Sequence, residues 1–305
     1  MPVLQSNGIL PKFGDIDAYQ MSAGSFDEAV RSIIAVGGKL PDPDDADNNF
    51  WSVNDNFCVP DSAYNPKSNP DGKYKLAQLV RMNEALFDMS TFFNIPMTSG
   101  KDSMKNDFIK EGVKISVPPT ILYSMVAKIK DIRKTLTAEF KQAGDLIYLI
   151  GKTYDELGGS DFYKLFNEIG ANVPVVRKED AKRIYYKMME ANTRSLLVSA
   201  HDLSDGGLAV ALAESAFGSE LGVSIELPNN GLSINANLFS ESHSRFIVSV
   251  NPDDKDKFEQ LFGNDAELIG KVNESYKVQI SKAGKVLIDL DNDVLLNAWR
   301  SGLVF

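Results

Sequence analysis

Thr98-Ser-Gly-Lys-Asp-Ser-Met-Lys-Asn-Asp107 packs a glycine, two lysines, two carboxylates and three hydroxyls into one stretch just after Pro96. A lysine charge beside exposed backbone N–H groups can hold phosphate oxygens, and Asp102 or Asp107 could take a divalent metal. The stretch is not a P-loop. Ile95 stands where the first glycine belongs, and Asp102 fills the Ser/Thr slot after the lysine. On spacing alone it reads as a polar loop with a turn glycine.

A second cluster, His201-Asp-Leu-Ser-Asp-Gly-Gly207, follows the run Leu196-Leu-Val-Ser199 and precedes an apolar helix, Leu208 to Phe217. In an open α/β sheet, ligands gather at the carboxyl ends of strands, where helix N-termini aim N–H groups at anions. Asp202 suits a metal or ribose hydroxyls, and Ser204 a phosphate. The competing reading is that Ser204 or Asp205 caps the helix.

Working outward, Ser25-Phe-Asp-Glu28 has the pattern of a capping box opening a helix that ends at Gly37-Gly38, so Glu28 is either a cap or a ligand. Residues 1–24 are polar and turn-rich, and Pro41 to Asn49 is a polar stretch. Phe50-Trp-Ser-Val53 reads as a strand delivering Asn54-Asp55-Asn56 at its end, where core packing explains a carboxylate poorly. A long helix is expected over Tyr74–Phe93, and two strand pieces over Val113–Ile129 around Pro118-Pro119. The charged segment Asp131 to Gly144 marks a boundary, giving domains 1–140 and 141–305. The second opens on the strand Asp145–Ile150. It then alternates helices near 161–169, 178–193, 205–217 and 253–263 with strands near 195–199, 222–227, 245–250, 276–280 and 285–290. Two α/β domains follow. His243 reads as a loop contact and Cys58 as structural.

Composition narrows the function. The chain has 305 residues and 43% hydrophobic residues, so it can bury one or two ordinary cores. A net charge of −10 argues against a nucleic-acid backbone as principal ligand. With two histidines and one cysteine, neither usual zinc spacing can be written, while an oxygen-ligated magnesium site remains open. No run of eighteen apolar residues suggests a membrane span, and Met1-Pro-Val-Leu-Gln-Ser does not look like a secretory signal. The single cysteine fits a reducing cytoplasm.

The order of motifs is more specific than any one of them. Gly14-Asp-Ile-Asp17, Phe26-Asp-Glu-Ala-Val-Arg31, Ala35-Val-Gly-Gly38 and Asp55-Asn-Phe57 come first. Ser99-Gly-Lys-Asp-Ser103, Pro118-Pro119, Glu156-Leu-Gly-Gly-Ser160, the His201–Gly207 cluster and Ser240-Glu-Ser-His-Ser-Arg-Phe246 follow. Over essentially its whole length the chain resembles the carboxy-terminal half of the phosphoribosylformylglycinamidine synthase family. That family lies in the AIR synthetase-like ATP-binding superfamily.

The resemblance implies an α/β (α+β) two-domain unit, with a barrel-forming, dimerising sheet domain and a larger α/β domain. It implies ATP-dependent conversion of formylglycinamide ribonucleotide, with ammonia from a glutaminase partner, to the amidine of purine biosynthesis. By motif, Asp55, Gly100, Lys101, Ser103 and Ser204 match the nucleotide (ATP/ADP) site, and Glu28, Asp102 and Asp202 match contacts to Mg2+. Ser32 stands where some relatives carry Asn, and Lys101 replaces the Asn of small-type synthases. The family's histidine base and glycine-rich ATP loop belong to the amino-terminal half, so the chain is expected to work as one half or subunit. The alternatives are a non-catalytic half holding ADP and magnesium, or an AIR synthetase-like cyclo-ligase.

Overall fold

A computed structural model describes residues 2–42, 44 and 50–302; most of the polar stretch after Pro41 and the last three residues lie outside them. The chain divides into two compact units. The first takes Met1–Ile33, Gly38–Ile132 and Leu157–Lys182, and the second Ile34–Gly37, Arg133–Glu156 and Arg183–Phe305.

The first unit is built from β1 (Val3–Ile9), α1 (Ala18–Ala35), β2 (Trp51–Cys58), α2 (Gly72–Phe93), β3 (Met97–Ser103), β4 (Asp107–Lys110), β5 (Val113–Ser116), β6 (Thr120–Lys128) and the short α3 (Asp161–Lys164). Its four-stranded sheet has the order β1-β6-β2-β3, and β4 and β5 pair separately as a hairpin. β2 and β3 run parallel, as a crossover through a 22-residue helix requires, while β6 is antiparallel to both its neighbours. Burial alternates strictly along β6, so only one face of the sheet is covered by the helices. On that face Phe26 of α1 meets the Tyr123 ring at 5.2 Å and the Phe93 ring at 6.4 Å. Val3 and Ile9 of β1 are exposed on the other.

Three expectations for this unit need correction. The helix with Ser25 starts seven residues earlier, where Asp17 Oδ1 accepts from the N–H groups of Tyr19 and Gln20. Ser25 is therefore mid-helix: its hydroxyl donates to Met21 O and accepts from Leu10 N, so no capping box forms. The 98–107 stretch is mostly not a loop, because Met97–Ser103 is the edge strand β3. Asp55 lies in the middle of β2 rather than at its end. The two strand pieces around Pro118-Pro119 are β5 and β6.

The second unit holds β7 (Leu146–Ile150), most of α4 (Lys178–Thr193), β8 (Ser199–Asp202), α5 (Gly207–Phe217), β9 (Gly222–Glu226), α6 (Ile234–Phe239), β10 (Phe246–Val250), α7 (Lys255–Phe262), β11 (Ala266–Asn273), β12 (Lys277–Lys282), β13 (Lys285–Asp291) and α8 (Asn292–Ser301). Its seven strands run in the order β13-β12-β9-β11-β7-β10-β8, parallel only between β12 and β9. β10 is buried at every position, which requires cover on both faces of the sheet. On one face Ile147, Leu149 and Ile247 pack with Leu208 and Leu212 of α5. On the other, Tyr148 meets Phe258 of α7 at 4.6 Å, and Phe246 meets Tyr185 of α4 at 5.9 Å. β8 begins at Ser199, so His201 and Asp202 are strand residues and the expected strand at 195–199 is displaced.

Candidate functional site

In the first unit the chemistry collects on the central strands. Asp55 of β2 pairs in register with Gly100 of β3 on one side and Tyr123 of β6 on the other. A Cβ built on Gly100 would overlap Asp55 Oδ1, so the carboxylate occupies the space that a side chain on β3 would fill. Asp55 Oδ1 is buried and has no hydrogen-bond partner. Burial, and then the negative charge of Asp102, push the Asp55 carboxyl above its ordinary range. On the Tyr123 side the surroundings are fixed. Ser22 Oγ donates to Met82 O at 2.9 Å, so the Tyr123 hydroxyl is the donor in the 2.8 Å bond between them. Lys101 and Asp102 are exposed, and the Lys101 ammonium donates to Ser103 Oγ. Glu28 is held elsewhere, its Oε2 accepting from Ile9 N at 2.8 Å at the end of β1.

In the second unit, antiparallel pairing brings the carboxyl ends of β7 and β8 to the same edge as the start of β10. Three segments meet there and are tied by side chains. Arg245 is fully buried and donates to Ser240 O, to Ser242 O at 2.9 Å and to Thr153 Oγ1 at 2.9 Å. Ser242 Oγ donates to Glu156 Oε2 at 2.7 Å, and Glu241 Oε1 accepts from Gly206 N at 2.9 Å. Gly207 has φ +63° and no space for a Cβ beside Ser240 O, so the entry to α5 needs glycine. Gly206, not Ser204 or Asp205, is the N-cap residue of α5, and the anion at this helix start is the Glu241 carboxylate. Ser204 Oγ instead donates to Asp202 Oδ2 at 3.1 Å. His201 Nε2 lies 2.9 Å from Glu214 Oε2, and Nδ1 lies 3.8 Å from Asp202 Oδ1. Burial opposes a charge on this imidazole, but the nearby Asp202 carboxylate and the hydrogen bond with Glu214 outweigh it and raise its pKa to about 9.

These features have counterparts in known proteins. Residues 142–282 match the family of the AIR synthase related protein, C-terminal domain. The phosphoribosylformylglycinamidine synthase subunit PurL of Limosilactobacillus reuteri is 34% identical over 252 residues, 81% of this chain and 32% of that protein. The PurL subunit of Methanothrix thermoacetophila is 31% identical over 303 residues, 96% of this chain and 37% of that protein. The chain is thus similar to PurL subunits and, over residues 142–282, to the AIR synthase related C-terminal domain family. It spans about a third of the length of the curated PurL relatives it matches. Thermotoga maritima PurL complexed with FGAR shares the fold, with a TM-score of 0.74 at 15% identity over 96% of this chain and 45% of that one. A chain of a HypE–HypF complex also shares the fold, with a TM-score of 0.65 at 14% identity over 95% of this chain and 90% of that one.

Of the residues named from the family resemblance, the structure brings Asp55, Gly100 and Asp102 together on one face of β2 and β3, while Lys101 and Ser103 alternate onto the other face of β3. Asp202 and Ser204 form a bonded pair in the second unit. Within either unit taken alone, no three carboxylate, histidine or cysteine groups of the described residues gather at metal-binding distance. Sequence reasoning missed Tyr123 and Ser22, whose partners are 101 and 60 residues away. It quoted the 240–246 motif without seeing that its arginine is the fastening. An arginine after three alternating serines was the available signal.

Proposed function

We propose that this chain is one half or subunit of an ATP-dependent C–N ligase, phosphoribosylformylglycinamidine synthase. In that role it helps convert formylglycinamide ribonucleotide, with glutamine-derived ammonia, to formylglycinamidine ribonucleotide in the cytoplasm. Its partners are the amino-terminal half, a glutaminase, and a second sheet domain pairing with the region 1–140. Region 141–305 is the second superfamily domain.

The observation that carries this reading is the Asp55 carboxylate. It is seated over Gly100 with a buried oxygen that lacks a donor and a raised pKa, near the exposed Asp102. Such a carboxylate fits a cation-bearing ligand, because a buried polar atom left unmatched costs about 1–3 kcal/mol. In this reading Asp55, Gly100, Lys101, Ser103 and Ser204 serve ATP or ADP, and Glu28, Asp102 and Asp202 serve Mg2+. The metal-nucleotide supplies the phosphoryl group that activates the amide oxygen. The chain's own residues position the phosphates and balance their charge. The relatives' names support the substrate, and no described helix is long and apolar enough to cross a membrane.

The test supplies formylglycinamide ribonucleotide, MgATP and ammonia to the chain alone and to the chain mixed with a separately produced amino-terminal half. Product from the mixture only is the expected result. Normal turnover by the chain alone would refute the half-site reading. Tight MgADP binding with no turnover in the mixture would favour a structural nucleotide half.

A further inference from the structure

The glycine of Ser99-Gly-Lys-Asp-Ser103 invites the reading that it lets a ligand approach the backbone. The register points elsewhere. Gly100 lies directly opposite Asp55 across the parallel pair, and the atom that its Cβ would overlap is Asp55 Oδ1. The next two nearest atoms to that Cβ are also in the Asp55 carboxyl group. On the other flank Asp55 is paired with Tyr123, whose ring packs on Phe26 and whose hydroxyl bonds Ser22. We propose that Gly100 is a positioning residue: it acts through Asp55, leaving the slot in which that carboxylate is held, rather than by touching the ligand.

This rests on the nucleotide reading of Asp55 but makes a separate claim about how the carboxylate is placed. Its signature is epistasis. If the only obstacle to a side chain at position 100 is the Asp55 carboxylate, removing that carboxylate should remove the penalty.

The experiment takes the full chain as Gly100→Ala, Asp55→Ala and the double variant, and reads melting temperature without ligand and MgADP affinity by calorimetry. Overpacking should lower the melting temperature of Gly100→Ala by roughly 5 °C. Adding Asp55→Ala should restore it to within about 1 °C of the Asp55→Ala single variant. MgADP affinity should fall about tenfold or more in Gly100→Ala and in Asp55→Ala, and no further in the double variant. Additive losses in melting temperature would overturn the proposal. So would wild-type MgADP affinity in Gly100→Ala alongside lost affinity in Asp55→Ala. Wild-type affinity in Asp55→Ala would instead overturn the nucleotide role of Asp55, and the melting temperatures would still decide whether the slot exists.

Discussion

Two polar side chains, Arg245 in the second unit and Asp55 in the first, are held in different ways. Around Arg245 in the second unit, the guanidinium fastens two segments by donating to Ser240 O, Ser242 O and Thr153 Oγ1, and Ser242, Glu156, Glu241 and Gly206 N add further ties. Around Asp55 in the first unit, a carboxylate oxygen is buried without a donor, and the adjoining strand leaves Lys101 and Asp102 in solvent. A saturated buried network makes one conformation rigid, while an unsaturated one is a cost that a ligand can relieve. Arg245 is therefore scaffold, whereas the proposed function has Asp55 and its neighbours face the ligand, although both lie in the same ordered set of motifs.

The largest effect that tests this contrast is Arg245→Met. It leaves Ser240 O, Ser242 O and Thr153 Oγ1 without their shared donor in a fully buried position. The expected cost is about 3 kcal/mol or more, which lowers the melting temperature by roughly 10 °C. A loss below about 1 kcal/mol in thermal denaturation would show that the network is not the fastening described.

Next comes His201, whose folded pKa of about 9 lies above its ordinary value of 6.5. Because the folded value is raised, the contribution is fully present below about pH 6.5 and is lost as pH rises through about 9. The shift corresponds to roughly 3 kcal/mol at its fullest. Wild-type stability should fall over that window, and His201→Gln should flatten the fall. Parallel pH–stability curves for the two proteins would show that the His201 contacts with Asp202 and Glu214 do not stabilise the fold.

The contrast also explains what the sequence could reveal. β7 and β10 were legible because each is an apolar run buried on both faces, and α4 because charged residues alternate with a buried stripe at helical spacing. β3 was illegible as a strand. Its first six residues are exposed and it is held by backbone pairing to β2, so its composition resembles a turn. The Ser25–Glu28 pattern misled because a serine followed three residues later by a glutamate satisfies the local rule in mid-helix too, while the real start is marked by Asp17 and the Ser25 hydroxyl serves Leu10 N instead. Residue types at the candidate site could be read directly, but the reason for Gly100 could not. It depends on a partner 45 residues earlier that only strand register brings opposite.

The smallest expected effect on stability is the sharpest test of the comparison. Lys101 is exposed and its ammonium bonds only locally, to Ser103 Oγ two residues on. Lys101→Ala should therefore change the ligand-free melting temperature by no more than about 0.5 kcal/mol equivalent, as for other surface substitutions. If the first unit's wall faces a nucleotide, the same variant should abolish the rise in melting temperature that MgADP produces, since that rise measures differential binding to the folded state. Arg245→Met and Lys101→Ala are then mirror images: one loses stability at any ligand concentration, the other loses only the response to ligand. A Lys101→Ala protein that keeps the full MgADP response would move the nucleotide off this strand. The exposed, unmatched character of β3 would then belong to an edge that another chain covers.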